Sequence, residues 1–137
     1  MSKLPEVYAM PIRVYFQDTD AGGVVYHASY VNFLERARTE WLRECCGYSN
    51  GGLLKEFGIV FVVRSLKLDY LKPAVLDDLL SVTAQVRETG RSRVVLLQKV
   101  LRGEDLMVEA EVHLVCVDRA KFKPVRIPVN VINKWKV

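Results

Sequence analysis

The 137-residue sequence is poor in the side chains that most readily advertise chemistry: it holds two histidines, three cysteines and two tryptophans. Cys45, Cys46 and Cys116 form no metal-ligand spacing, their odd number closes no disulfide framework, and adjacent cysteines on a helix point in different directions. They are read as reduced, mostly buried thiols, since Cys45 and Cys46 have no histidine near them in sequence and Cys116 falls on an apolar strand face. No apolar run is long enough to cross a bilayer, and Met1 to Glu6 carries no signal-peptide pattern, so the expectation is a soluble protein of the cytoplasm. Internal repeats and low-complexity linkers are also missing. This predicts one domain over 1–137, long enough to build a core without staples. Acid is absent from Arg119 onward, where six basic residues stand; without those six the net charge of +4 becomes −2. A basic tail over 119–137 suits an anionic surface or an acidic partner, although a solvated terminus is the commoner case.

What the sequence does contain is period. Ile12, Val14 and Phe16 alternate with Arg13, Tyr15 and Gln17, which predicts a strand over 10–18 with Pro11 at its start or on a sheet edge. Tyr30, Phe33, Leu34, Ala37, Trp41, Leu42 and Cys45 then fall on one helical stripe. The helix is about five turns, roughly 27 Å long, with Ser29 as N-cap, Gly47 as C-cap and Arg36 placed to pair with Glu40. A further turn or two of helix at Leu53–Phe57 ends at Gly58. Strand patterns follow over 59–70, 79–88, 94–101 and 106–118, with turns at Thr89–Ser92 and Arg102–Asp105, and residues 119–137 resist assignment. The pattern predicts an α+β domain, a meandering antiparallel sheet curled around one long helix. Apolar residues on both faces of 59–63 and 94–101 leave one face over, which points to a second subunit.

Chemistry concentrates between the first strand and the long helix. Asp18 and Asp20, two apart, would share one side of an extended strand, Gly22-Gly23 permits a sharp turn or a close ligand approach, and His27 follows. A helix start offers unpaired N–H groups and partial positive charge to an anion or a developing oxyanion. The same residues also suit a plain turn whose aspartates cap backbone N–H groups. A metal site using Asp18, Asp20 and His27 is weaker, because only His113 remains to add nitrogen.

The whole stretch Phe16 to Arg38 resembles the signature of the 4-hydroxybenzoyl-CoA thioesterase family of hotdog-fold proteins, and within it the bacterial acyl-CoA thioesterases encoded beside the Tol-Pal genes. The similarity continues through Phe61–Arg64, Tyr70–Asp78, Glu109–Val112 and Val115–Asp118. It implies a hotdog fold, with a five-stranded antiparallel sheet wrapped around the central helix, and hydrolysis of an acyl-CoA without any metal or cofactor beyond the CoA of the substrate. By the same resemblance Asp20 is the catalytic carboxylate, as nucleophile or general base, and the backbone N–H of His27 is the oxyanion donor. The His27 imidazole would orient Asp20 or water, or meet the thioester. Gly23 stands where many family members carry a histidine, which leaves the imidazole less firmly implied than Asp20. Asp18 and Thr19 would fix the loop, and Tyr26 would wall the site or join the core. Phe61, Val62 and Val63 match a segment lining the acyl site, and Arg91, Ser92 and Arg93 the region that meets the nucleotide. Active sites between subunits of a dimer or tetramer are implied too. The basic tail motivates an alternative function, a scaffold with little hydrolysis of its own that binds acyl carrier protein or sits near the inner membrane; nucleic acid is not among the expected partners.

Overall fold

The computed structural model describes residues 7–135, so Met1–Glu6 and Lys136 of the basic tail lie outside the described residues. Five strands form one antiparallel sheet: β1 (Tyr8–Arg13), β2 (Ile59–Tyr70), β3 (Leu79–Thr89), β4 (Arg93–Arg102) and β5 (Asp105–Asp118). Helix α1 (His27–Cys46) crosses it, followed by the short α2 (Asn50–Phe57), and α3 (Val129–Trp135) closes the chain.

The sheet order is β1-β3-β4-β5-β2. Only β3, β4 and β5 meander; β2 passes to the far side of β5 and pairs there, from Ile59 opposite Asp118 to Tyr70 opposite Val108. A strict meander of the last four strands is therefore incorrect. The path follows from the helices between β1 and β2, which carry the chain across the sheet before the meander begins. Both β1 and β2 are edges, and Pro11, opposite Ser81, sits on an edge strand where its missing N–H costs no ladder bond.

The helical stripe packs as its spacing predicts: Tyr30, Phe33, Leu34, Ala37, Trp41 and Leu42 are buried. One position differs, since Cys46 rather than Cys45 is the buried cysteine at the end of α1. Ala37 on the helix and Ala84 and Ala110 on the sheet are almost wholly buried, and their small side chains let the backbones approach closely. The buried Gln98 side chain tethers helix to sheet, its amide donating to the Leu34 carbonyl at 3.0 Å and to the Thr83 carbonyl at 3.1 Å. Glu40 pairs with Arg43, one turn later, and not with Arg36. Gly47 takes a left-handed φ of 77° and stops α1 as a C-cap.

The first strand ends earlier than its alternation suggests, at Arg13. Val14 still exchanges backbone bonds with the Asp77–Asp78 turn, but Phe16–Asp18 is a single 3-10 turn that leaves Phe16 81% exposed. The unassigned tail is also ordered through Trp135. Val125 donates to the Cys116 carbonyl, Ile127 to the Arg91 carbonyl, and α3 lays Trp135 on Trp41 with ring centroids 5.2 Å apart.

Phe33, at 1% exposure, lies where α1 meets the sheet. Phe33→Ala is expected to lower unfolding stability by about 3–5 kcal/mol, seen as a lower urea midpoint with an unchanged m-value.

Candidate functional site

The loop between β1 and α1 is tied at both ends by one residue, Asp18. Its carboxylate accepts from the Tyr15 N–H at 2.8 Å, while its carbonyl accepts from the Tyr26 N–H at 2.8 Å and the Ser29 hydroxyl at 3.1 Å. Asp18 is buried and Asp20 exposed, so the two carboxylates do not share one face of a strand; the 3-10 turn between β1 and the loop breaks that register. The loop-geometry role expected of Asp18 has a concrete form here. Thr19 adds to it, its hydroxyl donating to the Phe16 carbonyl at 2.7 Å. Ser29 is not the N-cap: α1 begins at His27 with Tyr26 in the cap position, and the serine hydroxyl inside the first turn reaches back to Asp18.

Asp20 stands on the tight turn that follows. Its N–H donates to the Val24 carbonyl, its carbonyl accepts from Gly23, and one carboxylate oxygen accepts from the Gly22 N–H at 2.8 Å. The other oxygen has no partner among the described residues. Gly23 holds φ at 81°, a conformation that side chains resist, so the pair of glycines serves the turn directly. Val25 donates to the Ala74 carbonyl, and the Ala74 N–H donates to the buried Tyr30 hydroxyl at 3.0 Å, which pins the loop to the segment after β2.

Asp20 and His27 line one pocket of about 350 Å³, with Val24, Val25, Tyr30, Tyr70, Leu71, Lys72 and Pro73. Tyr70 was missed in the sequence. Its hydroxyl donates to the His27 carbonyl at 3.2 Å, and its ring packs edge-on to His27 and against Tyr30. The signal that could have found it is its place at the end of the β2 alternation, after Leu66 and Leu68. Tyr26 stacks near His27, centroids 4.4 Å apart, but its N–H is already given to Asp18. The Ser29 N–H goes to the Tyr26 carbonyl. Of the first-turn donors, those of His27 and Ala28 thus have no acceptor among the described residues. A carboxylate and a free helix-start N–H border one cavity, the pairing needed to attack a carbonyl and hold the oxyanion formed.

The other expected site residues lie elsewhere. Phe61 and Val63 face the helix and line a groove of about 170 Å³ with Glu35, Arg38, Thr39, Trp41, Leu42, Asn50, Leu114 and Trp135. Val62, one residue between them on the strand, points to the opposite face. Arg91, Ser92 and Arg93 sit at the β3–β4 turn, at the opposite end of the sheet from Asp20, and the single chain does not bring them together with it. Arg93 is held by Glu88 at 2.7 Å, and the Ser92 carbonyl accepts from Cys116. Arg91 instead borders a pocket of about 430 Å³ with Arg126 and Asn133, which sequence reasoning had left in an unassigned tail. His113 lies on β5 opposite Val95, with Glu111 3.5 Å from its Nε2, and does not join His27. Burial pushes the Cys46 thiol up to about 12 and the Cys116 thiol up to about 11.

This fold and this pocket define the class: the family model described as Thioesterase superfamily matches residues 22–112, and the chain belongs to that family. Among curated relatives, the acyl-CoA thioesterase YbgC of Haemophilus influenzae is 45% identical over 124 residues, 90% of each chain. The acyl-CoA thioester hydrolase YbgC of Escherichia coli O6:H1 is 44% identical over 131 residues, 95% of this chain and 96% of that one. Among solved structures, a probable thioesterase from Bartonella henselae superposes with a TM-score of 0.85 at 35% identity, covering 90% of this chain and all of that one.

Two outcomes follow from the geometry. Asp18→Ala removes the acceptor of a Tyr15 N–H and is expected to cost about 1–3 kcal/mol, read from thermal or urea unfolding. In the native protein Cys46 and Cys116 should resist iodoacetamide at pH 8, where their thiolates are scarce, and become fully alkylated in urea, as mass spectrometry of peptides would show.

Proposed function

We propose that the protein is an acyl-CoA thioesterase in which Asp20 drives hydrolysis and the His27 N–H receives the oxyanion. The observation that carries this reading is one pocket lined by Asp20, with a carboxylate oxygen unpartnered among the described residues, and by His27, whose N–H at the start of α1 is unpaired among them. The names of the YbgC relatives supply the substrate class. Asp20 acts either as general base, taking a proton from the water that attacks the carbonyl carbon, or as nucleophile, forming an anhydride that water then cleaves. In both, negative charge builds on the carbonyl oxygen and is met by the His27 N–H, and collapse expels the CoA thiolate. The His27 ring, between Tyr26 and Tyr70, is placed to orient the carboxylate or the thioester.

The site is completed in a homo-oligomer, a dimer across the β2 edge at the least and a tetramer in full. Edge strand β2 is twelve residues long with Val63 half exposed, and such an edge favours pairing. A two-fold axis across it sets the Ile59 end of one strand beside the Tyr70 end of the other. Phe61 and Val63 of each subunit then face the partner's Asp20 pocket as acyl-site walls. Arg91, helped by Arg126, comes to the same end as that partner pocket and serves the phosphates of CoA. Tol-Pal association is carried by the sequence resemblance and a cytoplasmic location by the lack of a signal-peptide pattern in the sequence; among the described residues no helix is long and apolar enough to cross a membrane. Arg119, Lys121, Lys123 and Arg126 are exposed and offer cations to an acyl carrier protein or an anionic membrane surface.

Asp20→Asn keeps an acceptor for Gly22 and is exposed, so stability should stay within about 0.5 kcal/mol. Thiol release from acyl-CoA should fall by about 10²–10⁴-fold; undiminished turnover by the folded variant refutes the assignment.

A further inference from the structure

The groove beside β2 contains a charge that the hydrolytic chemistry does not use. Arg38 lies half-buried on α1 among Trp41, Leu42, Phe61, Val63, Leu114 and Trp135, and among the described residues no carboxylate stands within ion-pair distance of it, although Glu35 lines the same groove. Among the described residues its hydrogen bond goes to the Oε1 of Gln98, at 3.1 Å. That acceptor is fixed, because the Gln98 amide nitrogen is committed to the Leu34 and Thr83 carbonyls. A guanidinium has five N–H donors, and holding it partly out of water against aromatic walls is costly when no carboxylate pairs with it directly. Burial lowers its pKa, an effect that the charge of the nearby Glu35 carboxylate opposes. Satisfying one neutral amide does not require a charged group with donors to spare.

The groove also has the character of half a site. Its volume of about 170 Å³ is below the roughly 300–1,000 Å³ of complete small-molecule pockets. Arg38 lies eleven residues along α1 from His27, about 16 Å at the helical rise, so the Asp20 of the same chain is out of reach of a short acyl group bound here. Across a two-fold at β2 the partner's Asp20 pocket is the neighbour, and Trp135, seated on Trp41 and against Phe61, blocks the far end.

We propose that this groove is the distal acyl subsite of the partner's reactive centre and that Arg38 selects acyl groups bearing a neutral oxygen acceptor, a hydroxyl or a keto group, over bare hydrocarbon chains. The inference rests on the thioesterase reading above. A neutral oxygen is favoured over a carboxylate because Glu35, bonded to Thr39 at 3.1 Å, lines the same groove and repels a second anion. The Trp135 wall keeps the chain short.

The test uses the full-length protein and a panel of six-carbon acyl-CoAs: hexanoyl-CoA, 5-oxohexanoyl-CoA, 6-hydroxyhexanoyl-CoA and adipoyl-CoA, with thiol release as readout. The oxo or the hydroxy thioester should exceed hexanoyl-CoA in kcat/KM by about ten-fold or more, with adipoyl-CoA below both. In Arg38→Met that ratio should fall toward one, and in Arg38→Lys, which keeps a charged donor, part of it should return. A wild-type enzyme that prefers hexanoyl-CoA or adipoyl-CoA overturns the proposal, and that result needs no variant to fold. So does a ratio unchanged in Arg38→Met. Absence of turnover on every thioester overturns the thioesterase reading along with it, whereas turnover without oxygen preference overturns this inference alone.

Discussion

The hydrogen bonds around Asp18 are the constraint on which the site depends. One buried residue caps the start of the 3-10 turn through its carboxylate and ties the start of α1 through its carbonyl, so that the chain leaves β1 and joins the helix with the intervening loop closed. Closing it spends the Tyr26 N–H and leaves those of His27 and Ala28 unspent, which decides where a helix dipole can act on a ligand. Asp20 is then carried outward on a turn whose glycines add no side chain between it and the pocket. Removing water from the Asp18 contacts makes them expensive to lose, and this rigidity is what the proposed oxyanion site requires.

The second constraint is the approach of α1 to the sheet. Small residues at Ala37, Ala84 and Ala110 permit it, and Gln98 fixes its rotation by bonding the Leu34 carbonyl. That rotation sets which side chains look toward β2: His27 at one end of the seam and Arg38 at the other, eleven residues apart and so nearly on one face at 3.6 residues per turn. Packing energy and site geometry are thus coupled through the helix, since any slip of α1 displaces both pockets at once.

Much of this was legible in the sequence. The α1 stripe, Gly47, the strands after Gly58 and the α+β class follow from periods of 3.6 and 2 that tertiary packing did not override, and the motif from Phe16 to Arg38 located the pocket. The misses have physical causes. Alternation through Phe16 looks like strand because a 3-10 turn at a strand end leaves no composition signal. Ser29 looks like an N-cap, but the Asp18 carbonyl, eleven residues away, claims its hydroxyl. The passage of β2 beyond β5 depends on long-range pairing that no local pattern encodes. Trp135 and Arg126 belong to a segment with too little periodicity to assign, and their role emerges only once α3 docks on α1 and the Arg91 turn. Val62 shared its neighbours' motif yet faces away, because period 2 separates it from them.

The position of the two pockets along β2 gives the edge strand a double significance. A long edge with a bulge between Val63 and Ser65 is a liability for a lone chain, and nature commonly blunts such edges with charge or covers them. Here Arg64 at the bulge and Lys67 and Asp69 beyond it supply charge, but Phe61 and Val63 remain turned into a groove that is too small to be a site alone. Pairing two such edges around a two-fold axis removes both edges and juxtaposes unlike halves, a pocket with Asp20 against a groove with Arg38. Each reactive carboxylate would then work on an acyl group read by the other subunit. In that arrangement affinity of the subunits and choice of acyl group are carried by the same strand, so a substitution that changes the β2 face cannot alter one without the other.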